Sequence, residues 1–164
     1  MPSTPSFTAI RTLVWGQPRD RRRHWWLFVG WYVLAMLALF ALFFLFDRVL
    51  VPVVGEGVGD YLYSPVLPVA LFYSPPFVSA ASAYRDGGLA TSLVVGVAPS
   101  LVFGAVVSLD VAVRFLVTGE YVTRGDAPLW GLMLVFGLLG LAGSLAGFVV
   151  GTVGRVAVRR VMSR

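Results

Sequence analysis

Polar and apolar positions along this chain do not alternate; they come in blocks. Charged side chains cluster between four stretches that carry none: Trp25–Phe46, Tyr61–Tyr84, Gly87–Leu109 and Ala127–Gly154, of 22, 24, 23 and 28 residues. A hydrocarbon core about 30 Å thick needs roughly 20 apolar residues at 1.5 Å each, so every stretch is long enough to cross as a helix. A helix on a soluble core wets one face and has no reason to stay free of charge for so long. The pattern predicts an all-α integral membrane protein. Its expected architecture is a bundle of four transmembrane helices, with spans at about 25–46, 61–84, 88–117 and 128–154. The longest stretch outside the spans is the 24-residue N-terminal tail, followed by short connections and a tail over 155–164. A separate soluble domain usually needs about 50 residues, so residues 1–164 read as one membrane domain.

Composition agrees, at 58% hydrophobic and 13% charged with a mean hydropathy of +0.84. All thirteen basic residues are arginine. A pI near 10 suits a nucleic-acid partner, but the positions of the arginines argue against one. Arg11, Arg19, Arg21, Arg22 and Arg23 precede span one, Arg85 separates spans two and three, and Arg155, Arg159, Arg160 and Arg164 follow span four. With four crossings these ten share one side, leaving only Arg48, Arg114 and Arg124 on the other. That is the positive-inside bias, and it predicts a multi-pass cell-membrane protein with both termini cytoplasmic. The partners this implies are the lipid bilayer and its anionic headgroups at the arginine-rich tails. The apolar run of span one exceeds that of a cleaved signal peptide and ends in Phe43, Phe44, Leu45 and Phe46, so a retained signal anchor is expected.

Two features within the spans stand out. Span four places Gly137, Gly140, Gly143, Ser144, Gly147, Gly151 and Gly154 within about 120° of one another at 100° per residue. Gly143, Gly147 and Gly151 form a glycine zipper, and span three answers with Ser92, Gly96, Ser100, Gly104 and Ser108, each four apart. Helices in lipid gain no hydrophobic energy by associating, so close backbone approach at small residues is what holds them. The stripes predict tight packing of span four against span three, or of span four against its copy in a homo-oligomer. The second feature is the proline set of span two. Pro65 and Pro68 fall in its opening turns, where a missing N–H costs little. Pro75 and Pro76 fall deep inside and remove the donors for the carbonyls of Leu71 and Phe72, so span two is expected to kink or break there. Tyr63-Ser64-Pro65 and Tyr73-Ser74-Pro75 repeat one tripeptide and set hydroxyls beside both interruptions. Tyr63, Ser64, Tyr73, Ser74, Pro75 and Pro76 thus make the candidate pathway or pocket, with a simple packing kink as the alternative.

Asp110 and Arg114, four apart on one helical face, predict an ion pair near the outer interface. No carboxylate lies deep in any span, so no proton or sodium relay is expected. With no cysteine, no lysine and one histidine (His24), the chain offers few general bases or metal ligands. It carries no Walker-type phosphate loop and no H-E-x-x-H helix. An enzyme, a cofactor and a metal site are all unexpected. Four-span small multidrug transporters place a glutamate inside the first span, which Trp25–Phe46 lacks. Four-span thiol oxidoreductases and tetraspanin-like proteins depend on cysteines that are absent here. The reading is a non-enzymatic subunit or accessory that works through helix packing with other membrane subunits, with a small transporter or channel along span two as the alternative.

Overall fold

The computed structural model describes residues 7–16, 19–49, 51–55, 64–119 and 128–163. Tyr63 and the charged residues Glu56, Asp60, Glu120, Arg124 and Asp126 lie outside them. Every regular element among the described residues is helical. A short helix α1 (Phe7–Trp15) precedes α2 (Arg19–Val49), which a single turn at Val51–Val54 follows. Then come α3 (Ser64–Tyr84), α4 (Leu89–Thr118) and α5 (Leu129–Met162). The helices α2 to α5 are each long and apolar enough to cross a membrane. At 1.5 Å per residue, the 31 residues of α2 and the 34 of α5 reach roughly 46 and 51 Å, well beyond a 30 Å core. Both continue as helix into their arginine-bearing ends, because backbone bonding does not stop where the apolar run stops.

Helices α3, α4 and α5 form the centre. α5 packs most extensively on α3 and nearly as much on α4, while α2 leans on α4 and meets the middle of α3 at Ala70, Leu71 and Ser74. Small residues set this arrangement. At the α4–α5 crossing, a side chain on Gly140 would overlap the Gly96 carbonyl, and one on Gly96 would sit 2.9 Å from the Gly140 carbonyl oxygen. The α2 seam is different in kind: Val29, Tyr32, Met36 and Phe40 bury against Ala70 and Leu71 of α3 and Val95, Ala98 and Val102 of α4. A chain of edge-to-face aromatic pairs then links all four spans. Phe40 meets Phe103 at 5.8 Å, Phe103 meets Phe136 at 5.8 Å, and Phe136 meets Phe72 at 5.6 Å.

The two ends of the bundle are tied by charge. At one end Asp110 of α4 receives Arg48 of α2 and Arg114 of its own helix, the latter at 2.9 Å. Arg48 also lies over the Phe44 ring, 5.2 Å from its centroid. At the other end Asp86, in the α3–α4 turn, receives Arg155, and Arg159 at 3.3 Å, both from α5. The same end holds the close of α1, where Gly16 (φ +73°) sends its N–H back to the Thr12 carbonyl at 2.9 Å. A side chain on Gly88 would meet the Val14 carbonyl oxygen at 2.6 Å, so α1 and the turn touch backbone to backbone.

Candidate functional site

The middle of α3 departs from α-helical bonding where the prolines demand it. Val69–Tyr73 form a π-turn, and the Ser74 N–H reaches back five residues to the Val69 carbonyl. In that register Pro75 falls opposite Ala70 and Pro76 opposite Leu71, so the Ala70 carbonyl is one of those deprived of a backbone donor. The Ser74 hydroxyl takes it, donating at 2.7 Å. Since that hydroxyl's single proton is committed, the Tyr32 hydroxyl, 2.7 Å from Ser74 Oγ, is the donor between them. The result is a directed relay, Tyr32 to Ser74 to Ala70, which covers the gap that a free carbonyl in hydrocarbon would leave. π-turns of this sort occur often at functional positions in membrane and soluble helices. The chain remains helical on both sides, with Ser74–Tyr84 continuing past Pro75 and Pro76.

Of the candidate pathway residues, Pro75 is buried and Ser74 and Pro76 are half-buried, whereas Ser64 and Tyr73 are exposed. Tyr63 is not among the described residues. Beside them, Leu71 is 1% exposed and Ala70 3%, so the π-turn is sealed on its inner side. Tyr32, which completes the relay, belongs to no motif in the sequence; its burial and its reach to Ser74 mark it out.

The packing residues divide between two partners. Gly140 and Gly96 meet at the α4–α5 crossing, Gly137 faces Ser100, and Gly104 faces the thioether of Met133. The zipper itself turns to α3: a side chain on Gly147 would overlap the Pro76 carbonyl, one on Gly151 the Ala80 carbonyl, and one on Gly143 would sit 3.3 Å from Pro76 Cδ. The expectation set this ladder against span three or a second copy. The difference has a geometric cause, since a stripe some 120° wide has two edges and α3 and α4 occupy one each. Ser108 is exposed and takes no part in this seam.

A cluster of buried hydroxyls lies between this crossing and the Asp86 turn. Ser79 donates to the Ser144 carbonyl at 2.6 Å, tying α3 to α5. Thr91 donates to the Gly88 carbonyl at 2.6 Å and stands 3.4 Å from Ser82 Oγ. Ser92 is fully buried with no hydrogen-bond partner for its hydroxyl. Sequence reasoning passed over Ser79, Ser82 and Thr91; their small side chains at spacings of three and nine carried no motif. It also passed over Pro99, buried inside α4, where the Val95 carbonyl loses its usual donor. Asp86, in the α3–α4 turn, accepts from two arginines of α5, a pairing across some seventy residues that carries no sequence pattern.

Chemically the arrangement ties helices together. The Tyr32 relay ends on a carbonyl, and the Asp110 and Asp86 carboxylates are each held between two guanidinium groups. Among the described residues no three His, Asp or Glu side chains converge as a metal site would require. No protein-family model, curated protein or solved structure matches this chain.

Proposed function

We propose that this chain is a multi-pass cell-membrane protein with both termini cytoplasmic, serving as a non-enzymatic subunit or accessory of a membrane assembly. The observation that carries the packing role is the use of its buried polar and small groups. Ser79, Ser74 and Thr91 give their protons to backbone carbonyls, the space beside Gly140, Gly147 and Gly151 is filled by neighbouring backbone, and that beside Gly96 by the Ser144 hydroxyl and the Gly140 carbonyl. Such groups hold helices at fixed distances, and these hydroxyls spend their protons on the backbone, with Ser92 the buried exception. The orientation rests on arginine placement, ten against three, and the Asp86 end carries Arg155 and Arg159. Reporter fusions at Met1 and Arg164 test it: both tails active in the cytoplasm is expected, and opposite compartments would overturn it.

A second reading, a small transporter or channel passing span two, is favoured by one observation, the π-turn at the interruption before Pro75 and Pro76. Half-helices broken at mid-membrane form substrate sites in some transporters. The cysteine-free background separates the two readings. Single cysteines at Ala70, Leu71 and Phe72 are treated with a water-soluble thiol reagent in intact membranes. Complete protection is the packing outcome, and labelling at Ala70 or Leu71 would replace it with a wet path.

A further inference from the structure

The three arginines at the end of α5 are not equivalent. Arg155 and Arg159 turn to Asp86, whereas Arg160 turns to the other side of the helix. Among the described residues no carboxylate or ring pairs with its guanidinium. There it ends a shallow, open groove of about 260 Å³ along one face of α5, lined by Thr152, Val153, Val156 and Ala157. At 100° per residue this stripe is centred opposite Gly147 and Gly151, so it faces away from α3 and α4. Val153 and Val156 are exposed, and the one hydroxyl, on Thr152, is already committed to the Phe148 carbonyl at 2.8 Å. The groove is therefore apolar for about two turns, roughly 12 Å, and ends on one unneutralised cation.

We propose that this groove binds an anionic phospholipid, with the phosphate on the Arg160 guanidinium and an acyl chain along Val153, Val156 and Ala157. Charge decides the occupant. A second copy of the chain, inserted in the same orientation, would bring another Arg160 against the first, and like charges repel. A soluble anion would make no use of the apolar trench. A zwitterionic lipid fills the trench but brings its own cation to Arg160. The inference rests on α5 crossing a bilayer and is independent of which compartment holds the tails.

Native mass spectrometry of the detergent-purified full chain provides the test, with phosphatidylglycerol and phosphatidylcholine of matched acyl chains as probes. Phosphatidylglycerol is expected to be retained in preference. Arg160→Gln should weaken it about fivefold and level the two lipids, given that one basic residue near an anionic surface contributes ~1 kcal/mol. Arg159→Gln, which removes the same charge from the Asp86 side, should leave the preference in place. Ala157→Phe, an exposed substitution that fills the trench, should reduce retention of both lipids while the elution volume stays unchanged. Equal losses for Arg159→Gln and Arg160→Gln would overturn the proposal in favour of diffuse surface charge. Displacement of phosphatidylglycerol by excess inorganic phosphate would make the ligand a soluble anion, and disulfide-linked dimers of Val156→Cys in membranes would make it a second copy. Failure of the membrane crossing itself would look different: the chain would stay monomeric in buffer without detergent.

Discussion

The seam between α3 and α5 and the seam between α2 and α4 solve one problem by opposite means. Along the first, Gly147 and Gly151 have no side chain, and the carbonyls of Pro76 and Ala80 fill the space where a Cβ would stand. Along the second, Val29, Met36 and Phe40 interdigitate with Val95, Ala98 and Val102, as in a soluble core. In water the second would be the stronger, because burial of apolar area drives it. In lipid that drive is absent, and what counts is dispersion contact and polar ties. The α2 side is pinned at two points, to α3 by Tyr32 on Ser74 in the middle and to α4 by Arg48 on Asp110 at one end. The backbone seam has ties of its own, Ser79 on the Ser144 carbonyl and, at the turn that closes α3, Asp86 with Arg155 and Arg159. The difference lies in the contact between the ties: side chains along α2, bare backbone between α3 and α5.

The largest expected effect breaks the backbone seam. Gly147→Leu forces α3 and α5 apart, because the obstructing atom is the Pro76 carbonyl and a helix backbone yields far less than a side chain. Overpacking costs about 1–3 kcal/mol where neighbours can adjust, and this site stands at or above the upper end. Gly147→Ala should fail in the same way. Gly143→Ala, one step earlier in the same ladder, meets only Pro76 Cδ at 3.3 Å and should be mild. Denaturant unfolding in mixed micelles, with elution profiles as a check on folding, separates the two. Equal tolerance at positions 143 and 147 would show that the backbones are not in contact at Gly147.

That inequality within one motif marks the limit of what sequence conveys here. Four charge-free runs are legible because a bilayer imposes a length, and the helices fall where those runs lie. The small-residue stripes are legible because only glycine and serine permit close approach. Which neighbour each glycine meets is not, since a 120° stripe serves two helices and their placement depends on the whole bundle. Gly143 and Gly147 look alike as letters and differ in what faces them. The prolines mark an interruption, but the register shift to a π-turn sets Pro75 and Pro76 opposite Ala70 and Leu71 instead of the expected Leu71 and Phe72. The Ala70 carbonyl is met locally by the Ser74 hydroxyl; what no local pattern announces is the Tyr32 hydroxyl, 42 residues earlier, that bonds Ser74 in turn.

A smaller effect is expected from the charged pin of α2. Asp110→Asn leaves Arg48 and Arg114 side by side with no carboxylate between them, converting two attractions into a repulsion. The Asp110 side chain is 14% exposed, so screening by solvent is partial, while Arg48 at 39% is more open. Exposed pairs contribute about 0.2–1 kcal/mol each, and losing two sets the scale near 1 kcal/mol. The change should appear as separation of α2 from α4 rather than as global unfolding. A disulfide engineered between Phe40→Cys and Phe103→Cys should therefore form less completely in Asp110→Asn than in its absence, whereas one between Pro76→Cys and Gly143→Cys should form equally well. Parallel losses at both pairs would mean that the two seams do not behave independently.

The smallest effect, and the most discriminating, concerns the relay at the π-turn. Interhelical hydrogen bonds in membranes average about 0.6 kcal/mol, so Tyr32→Phe should destabilise by that order, because Ser74 keeps its proton on the Ala70 carbonyl. Ser74→Ala removes both bonds at once and leaves the Ala70 carbonyl and the Tyr32 hydroxyl without partners in a buried place. A buried polar group stripped of its partner costs about 1–3 kcal/mol, so Ser74→Ala must exceed Tyr32→Phe. The double variant should then be no worse than Ser74→Ala alone, since the tyrosine no longer has an oxygen to satisfy. This fixes the sign of the coupling in a double-mutant cycle. Were Tyr32→Phe the costlier single change, the proton would have to run from Ser74 to Tyr32, and the Ala70 carbonyl would depend on some other donor.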